Sequence, residues 1–281
     1  MYDKIEKIGK SLIQHGKYND RIYLMKLHEE DYPQILDLLE KMTKENKYSK
    51  IFAKVQESFV TDFLNQGFTI EAKVSGFFDN TIDGLFLAKY YSEERRFVTK
   101  IDNDEIENNI RIAKAKAGSK KVNPLDPNFY IKKLDAKDLG QLAKLYKIVF
   151  PTYPFPIHET NFLIEVMNDN VEFYGVISKK DGNLIAASSA EKYDEYSNVE
   201  MTDFATHPDF PARGLALHLL DGMEEEMLKQ GFKTLYTIAR SHSAGMNITF
   251  AKNDYIFAGT LINNTNISGR IESMNVWYKT V

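Results

Sequence analysis

The chain has 281 residues, of which 43% are hydrophobic, so it can bury a large core and its length favours two domains. A formal net charge of −4 gives no basic footprint for nucleic acid. The absence of cysteine excludes disulfides, thiolate metal sites and a cysteine nucleophile, and the six histidines lack the paired spacing of a zinc site. No apolar run approaches membrane-spanning length, so we expect a soluble, cytoplasmic protein without a structural metal.

In the first half of the chain, the hydrophobic pattern alternates between helical and extended periods. The predicted elements are helix 32–46, strand 49–55, helix 58–66, strands 68–77 and 84–91, and helix 104–117. Two prolines, a glycine and polar residues then interrupt the periodicity at 118–128. We therefore predict an N-terminal α/β domain over 1–122 and a second domain over 123–281.

The second half is predicted to follow the order β-α-α-β-β-β-α-β-α-β-β. Part of this order, a helix, a strand, a helix and two strands, also occurs in the first half, which indicates a weak internal repeat. The segment before helix 32–46 is acidic and lacks glycine. We interpret the first half as a partial relative of the second that binds no phosphate.

The segment 199–230 predicts a strand, a turn at 213–216 and an amphipathic helix. Gly214 lets the backbone pass close to an anion, and Arg213 adds a cation. The first helical N–H groups have no partner within the helix, and the helix dipole places partial positive charge there. An ordinary strand-to-helix turn is the alternative, but the combination is typical of a phosphate-binding site.

The element order from 129 onward, together with this turn, resembles the GNAT superfamily of N-acetyltransferases. Members carry Q/R-x-x-G-x-G/A, whose N–H groups hold the pyrophosphate of acetyl-CoA; the segment here begins with Pro211 instead of Gln or Arg. The resemblance implies an α/β (α+β) GNAT fold in the C-terminal half, with acetyl-CoA as cosubstrate. The implied contacts to CoA come from Phe204, Ala205, Thr206, Ala212, Arg213, Gly214, Leu215, Ala216, Ser243 and Asn247.

The whole chain more closely resembles the β-lysine N-acetyltransferases. This likeness lies in segments of both halves, namely 11–16, 19–24, 50–54, 71–78, 150–156, 201–206 and 239–243. It implies acetylation of the side-chain amine of β-lysine, whose product is a compatible solute used in osmoadaptation. The identity of the substrate follows from this resemblance alone.

An amine that attacks a thioester must first lose a proton, which costs about 4–5 kcal/mol at pH 7 for a pKa of ~10.4. In GNAT enzymes with a glutamate base, that base lies on the strand before the pyrophosphate turn, and the matching residue is Glu200. Asp203 is the competitor. It lies on the opposite face of a regular strand, although a β-bulge would change its direction.

The residues that bind the acceptor and protonate the leaving thiolate are less defined. Phe250 stands where many members carry a Tyr that protonates the leaving thiolate. The remaining candidates for this role are Ser243, Asn247, Thr249 or water. A substrate carboxylate is usually bound by a guanidinium or by an amide-rich pocket. The proline-rich loop 151–156, with its aromatic residues, can contact the aliphatic stem of the acceptor. The candidate acceptor-binding residues are Tyr153, Phe155, Arg240, His242 and Arg270.

Two other functions stay open at this stage. In the first, the chain is a GNAT enzyme whose acceptor is another amine, such as a polyamine or a protein lysine. In the second, it is a catalytically silent module that binds acetyl-CoA. Pro211 and Phe250 favour the silent module. The expected partner is a small-molecule amine, without nucleic acid or membrane, and a homodimer is a candidate assembly.

Overall fold

The computed structural model describes residues 2–121, 123–211 and 213–281, and the strands within them form one mixed sheet. The strands are β1 (Lys4–Ile8), β2 (Ser11–Gly16), β3 (Arg21–Lys26), β4 (Lys50–Gln56), β5 (Thr69–Phe78), β6 (Ile82–Tyr90), β7 (Phe129–Lys133), β8 (Val171–Ser178), β9 (Leu184–Tyr193), β10 (Asn198–Thr206), β11 (Thr234–Arg240), β12 (Ile256–Ile267) and β13 (Arg270–Thr280). The helices are α1 (Ile35–Asn46), α2 (Val60–Asn65), α3 (Glu93–Arg96), α4 (Lys100–Lys114), α5 (Leu139–Val149), α6 (Thr160–Asp169), α7 (Leu215–Lys229) and α8 (Ala244–Lys252).

The strand order is β1-β2-β3-β4-β6-β5-β12-β13-β11-β10-β9-β8-β7. In each half a parallel pair, β3 with β4 and β10 with β11, is joined by a crossover helix, α1 or α7. An antiparallel pair then follows in reversed spatial order, β6-β5 or β13-β12. The two halves therefore share a topology from β2 to β6 and from β9 to β13. The described residues of the first half contain no counterpart of β7, α5 or α6.

The two halves share one hydrophobic core because the sheet curls, so that strands far apart in its order meet. Aromatic residues of the first half, such as Phe77 and Phe86, pack against Tyr236 on β11 with ring centroids 4.9 and 6.3 Å apart. The Gln14 side chain on β2 donates a hydrogen bond of 3.1 Å to the carbonyl of Pro154. The face of the first half that α5 and α6 would cover thus lies against the second half.

Helices cover the outer faces of the sheet. α1 and α2 enclose a core around Leu24, Leu39 and Phe63, whereas α7 and α8 enclose one around Met223 and Trp277. α4 precedes the sequence boundary but packs on α8 of the second half. Its path across the boundary ties the two halves together.

The predicted order of the second half, β-α-α-β-β-β-α-β-α-β-β, is confirmed. The sequence pattern missed β1, β2 and β3, in which polar residues such as Gln14, His15 and Arg21 are buried. This burial removes the alternation by which a half-exposed strand is recognised. Within the described residues, no helix is long and apolar enough to cross a membrane.

Candidate active site

β10 and β11 separate part-way along their length. They pair in parallel only from Asn198 with Thr234 to Glu200 with Tyr236, although both strands continue further. Past this point β10 stays paired with β9, with a register shift between Thr202 and Ala205 that marks a β-bulge. The backbone of β10 beyond Glu200 therefore presents N–H and C=O groups to an open wedge. An extended chain such as pantetheine can pair with them.

The wedge leads to the turn before α7. Gly214 is the N-cap of this helix, with a left-handed φ of 67° and no side chain bonded to the first-turn N–H groups. Arg213 lies beside it, 3.2 Å from Asp126, with its guanidinium 5.6 Å from the centre of the Phe210 ring. An uncapped helix N-terminus with an adjacent guanidinium fits the pyrophosphate of CoA. Ala212, predicted to share this contact, lies outside the described residues.

The side chains that were predicted to contact CoA differ in their accessibility. Leu215 is buried in the core, which leaves only its backbone for CoA. Phe204 packs edge-on against Phe250 at 5.5 Å but is partly exposed. Ala205 is buried too, whereas Thr206 and Ala216 are partly exposed and remain predictions. The Ser243 hydroxyl does not cap α8 and stays a candidate.

The structure does not support the prediction that the Asn247 side chain binds CoA. Asn247 is fully buried, and its Nδ2 donates to the carbonyls of Arg240 (3.0 Å) and Ser243 (2.8 Å). Its Oδ1 accepts from Asn275 and from the Trp277 indole, both at 2.8 Å. A side-chain amide donates two hydrogen bonds and accepts two, and all four are already made within the protein, so none is available to a ligand.

Three polar side chains form a row across the sheet where the wedge opens. Glu191 on β9, Glu200 on β10 and Tyr236 on β11 are direct cross-strand neighbours. Two carboxylates placed opposite each other repel, which destabilises a sheet. Such a pair within a shielded face is typical of a functional site.

Burial raises the pKa of Glu200 to about 7, because the desolvated carboxylate is harder to ionise. The nearby Lys54 ammonium opposes this shift, and the negative charge of Glu191 adds to it. A carboxylate that titrates near neutrality is suited to accept a proton from an amine at physiological pH. The geometry therefore fits the prediction that Glu200 is the base, which stays a prediction.

Asp203, the competing carboxylate, lies in the bulge with a left-handed φ of 55°. The bulge turns it toward the same face as Glu200, where it accepts hydrogen bonds from Ser189 (2.6 Å) and from the Tyr153 hydroxyl. Burial raises the pKa of Asp203 as well. Because hydroxyl groups already engage both of its oxygens, Asp203 is better placed to hold the bulge than to take a proton.

The two predicted residues of the proline-rich loop have different roles. The Tyr153 hydroxyl donates a hydrogen bond to Asp203, and its predicted contact with the acceptor stays a prediction. Phe155 instead stacks on Phe162 of α6, with ring centroids 6.5 Å apart and planes 10° apart. Phe155 therefore contributes to packing in this structure.

Arg240, His242 and Arg270, predicted to bind the acceptor, already have acidic partners. Arg240 makes a two-pronged contact of 2.9 Å with Glu272. Arg270 lies 3.4 Å from Asp102 and from Glu272. His242 lies 3.2 Å from Glu105 and 3.8 Å from Asp102. These pairings do not support the expectation that Arg240, His242 or Arg270 holds a substrate carboxylate.

The cluster of Asp102, Glu105 and His242 has the spacing of a metal site, since one ligand atom from each lies within 4.8 Å of the others. Arg270 also contacts Asp102, however, and compensates part of its charge. We interpret the cluster as an ion-pair network that fastens α4 to the end of β11.

Sequence reasoning missed the contribution of the first half to the site. Lys54 on β4 is only 5% exposed, and its ammonium donates a 3.2 Å hydrogen bond to the Tyr236 hydroxyl. The rings of Tyr23, Tyr193 and Tyr236 surround it, with centroids 5.1 to 5.5 Å from Nζ. A lysine within the apolar stretch of strand 49–55 was the available signal, because a period of two directs Lys54 to the same face as Phe52.

A cleft between the halves extends from this site. It is a narrow cleft lined by Lys54, Gln56, Phe77, Tyr193 and Asn198, among others. Residues of both halves thus line the space beside the carboxylate row.

The comparisons with known proteins agree with this geometry. The family model described as "Acetyltransferase (GNAT) family" matches residues 142–248. A β-lysine N(6)-acetyltransferase of Methanococcus maripaludis is 39% identical over 280 residues, covering 99% of this chain and 98% of that protein. The chain belongs to the β-lysine N(6)-acetyltransferase family.

Other relatives of this GNAT family are more distant. The N-acetyltransferase YodP of Bacillus subtilis is 29% identical, over 96% of this chain and 95% of that protein. Among solved structures, the ribosomal-protein-S18-alanine N-acetyltransferase from Escherichia coli aligns with a TM-score of 0.47 and 16% identity, over 54% of this chain and 94% of that chain.

Membership of the family makes the chain an N-acetyltransferase that uses acetyl-CoA as acetyl donor and a small-molecule amine as acceptor. Acetyl-CoA supplies an activated thioester. The open edge of β10 and the uncapped N-terminus of α7 fit its pantetheine arm and pyrophosphate. The carboxylate row then lies at the inner end of the wedge, next to the last paired residues of β10 and β11.

Proposed function

We propose that this chain acetylates the N6 side-chain amine of β-lysine. The observation that carries the proposal is the cross-strand pair of Glu191 and Glu200, whose charges attract an acceptor with two ammonium groups. The family supports the choice of acceptor, because its relative in Methanococcus maripaludis is named for this reaction over nearly the whole chain.

Glu200 is proposed as the general base, acting directly or through one water. Its pKa of about 7 lets it accept a proton from the acceptor ammonium and still be largely ionised at slightly alkaline pH. Asp203 is proposed to keep the bulge in place through Ser189 and Tyr153, which holds the backbone beyond Glu200 open. The departing thiolate takes its proton from Ser243, Thr249 or water, because Phe250 is buried and has no proton to give.

The backbone N–H groups of residues 213–216 are proposed to bind the pyrophosphate, with Arg213 as countercharge. The backbone of Phe204, Ala205 and Thr206 along the open edge of β10 is proposed to pair with the pantetheine arm. Pro211, which replaces the side chain common in GNAT motifs, leaves Arg213 as the cation of this turn.

We also propose that residues 1–122 form a GNAT-like unit without a CoA site and that 123–281 form the catalytic domain. The shared strand order supports this division, and the acidic segment before α1 argues against phosphate binding in the first unit. A cytoplasmic location, a homodimeric assembly and the use of the product as a compatible solute are proposed from the family resemblance.

An acetylation assay over a panel of amines tests the function. β-Lysine should react with at least a tenfold higher kcat/KM than α-lysine, because moving the amine by one carbon shifts its charge by ~1.5 Å. Spermidine and a lysine-containing peptide serve as the competing acceptors. Faster turnover of either would establish the alternative function, and CoA binding without turnover of any amine would establish the silent module.

A further inference from the structure

Lys54 is a buried cation without a buried anion in contact with it. Among the residues that the structure describes, no carboxylate lies within 4 Å of its ammonium, and Tyr236 accepts its one hydrogen bond to a side chain. An ammonium has three donors, and the aromatic rings around it replace only part of its lost hydration. Lys50, on the same strand and face, shows the usual arrangement, a contact of 3.0 Å with Glu71.

The unused N–H donors of Lys54 are accessible from the cleft between the halves. Lys54 lines the cleft between the halves, so a ligand in that cleft can reach it. Tyr236 stands between Lys54 and Glu200, since it bonds to Lys54 and is the cross-strand neighbour of Glu200. A ligand that touches both Lys54 and Glu200 must therefore carry an anionic group at a short distance from an amine.

We propose that Lys54 binds the carboxylate of the acceptor, so that the first half of the chain selects an amino acid over a simple diamine. This inference rests on the proposed function and assigns its specificity to a residue outside the GNAT half. Arg240 and Arg270 are already paired with Glu272. Arg21 is also buried without a carboxylate partner among the described residues, but it bonds to the carbonyl of Asn264 and does not line the cleft, whereas Lys54 does.

The charges around the site match such a ligand. Glu191 and Glu200 face the two ammonium groups, and Lys54 faces the carboxylate. Although burial opposes its charge, the hydroxyl of Tyr23 and the carboxylate of Glu200 raise the pKa of Lys54, so it stays cationic over the working pH range. The Tyr23, Tyr193 and Tyr236 rings fix the ammonium in place and limit the entropy lost on binding.

The test compares β-lysine with 1,4-diaminopentane of matching configuration, which lacks only the carboxylate. We expect the unaltered protein to favour β-lysine by about 30-fold in kcat/KM, the value of one charge-assisted hydrogen-bonded contact. In Lys54→Met this preference should fall below about threefold. The rates are compared at pH 8.5, because loss of the Lys54 charge also raises the pKa of Glu200 and slows both substrates at lower pH.

Lys26→Met is the matched control, since Lys26 lines the same cleft but is already paired with Glu195. It should keep the preference for β-lysine. CoA affinity and thermal unfolding of Lys54→Met show whether the fold is retained. If the variant does not fold, the comparison of the two substrates on the unaltered protein still tests the inference.

A Lys54→Met protein that folds and keeps the 30-fold preference would overturn the inference. So would equal rates for the two substrates on the unaltered protein. If neither substrate is acetylated while CoA still binds, the proposed function fails instead, and the two failures are thus distinguishable.

Discussion

Replacement of Glu200 by Gln removes the proposed base while keeping the size and shape of the side chain. The amide cannot take a proton, so kcat should fall by about 10²–10⁴-fold, the usual contribution of general-base catalysis. CoA affinity should change little, because the pyrophosphate turn lies beyond the bulge, at the start of α7. Stopped assays of β-lysine acetylation, together with calorimetric titration of CoA, measure the two quantities.

The pH dependence gives a second measure of the same residue. The base works only when ionised, and a pKa of about 7 leaves roughly one tenth of Glu200 ionised at pH 6. The rate of the unaltered protein should therefore rise about tenfold between pH 6 and a plateau above pH 8. In Glu200→Gln the plateau should disappear, and the residual rate should rise about tenfold per pH unit with the free-amine fraction of the acceptor, whose pKa is ~10.4.

Stability should change in the opposite direction to activity. The pKa of Glu200 is about 7 when folded and 4.5 as the reference value, so ionisation of this carboxylate opposes folding at high pH. The penalty is absent below pH 4.5, grows as the pH rises toward 7 and reaches about 3 kcal/mol above it. Glu200→Gln should therefore unfold at a higher temperature than the unaltered protein at pH 8 and at a similar one at pH 4.5.

Asp203→Asn is the control that tests the assignment of roles. It should lower activity by disturbing the bulge, while the acidic limb of the pH–rate profile remains. If Glu200→Gln keeps full activity and Asp203→Asn loses the pH dependence, the roles of the two carboxylates must be exchanged.

Three further substitutions test the cofactor turn and the paired arginine. Gly214→Val should weaken CoA binding at least tenfold, whereas Gly231→Val, equally strained at φ 94° with open space around it, should lower only the unfolding temperature. Arg213→Ala should weaken CoA binding about three- to tenfold, with a smaller effect at high salt, as calorimetry at two ionic strengths would show. Arg240→Ala should destabilise the fold by about 1–3 kcal/mol in denaturant unfolding, because it removes the two-pronged partner of the buried Glu272 and leaves only Arg270, at 3.4 Å. An unchanged stability together with a raised KM for β-lysine would return Arg240 to the substrate site.

The sequence predicted the features that depend on neighbours along the chain. The order of elements after 129 and the turn at 213–216 follow from periodicity and from glycine, and both are present in the structure. Glu200 could be located because its distance from the turn is fixed by one strand and one loop. The direction of Asp203 could not, since it depends on a bulge that shifts the strand by one residue.

Features that depend on contacts between distant segments escaped prediction. Whether Arg240 is free for a ligand is decided by Glu272, on another strand, and whether Asn247 is free is decided by Asn275 and Trp277. Composition alone cannot reveal these pairings, because each arginine or asparagine has the same chemistry in either role. The site residue Lys54 was missed for the same reason, since 182 positions separate it from Tyr236.

The shared topology of the halves explains how Lys54 comes to lie beside Glu200. In the second half α5 and α6 cover the inner face of the sheet, but the described part of the first half has no such helices. Its bare face, with Tyr23, Phe52 and Lys54, must therefore be buried against another surface, and the acceptor side of the second half is that surface. Without such helices in its described part, the first half thus forms one wall of the cleft beside Glu200. Substitutions that loosen this contact should weaken the binding of the amine before they affect the binding of CoA.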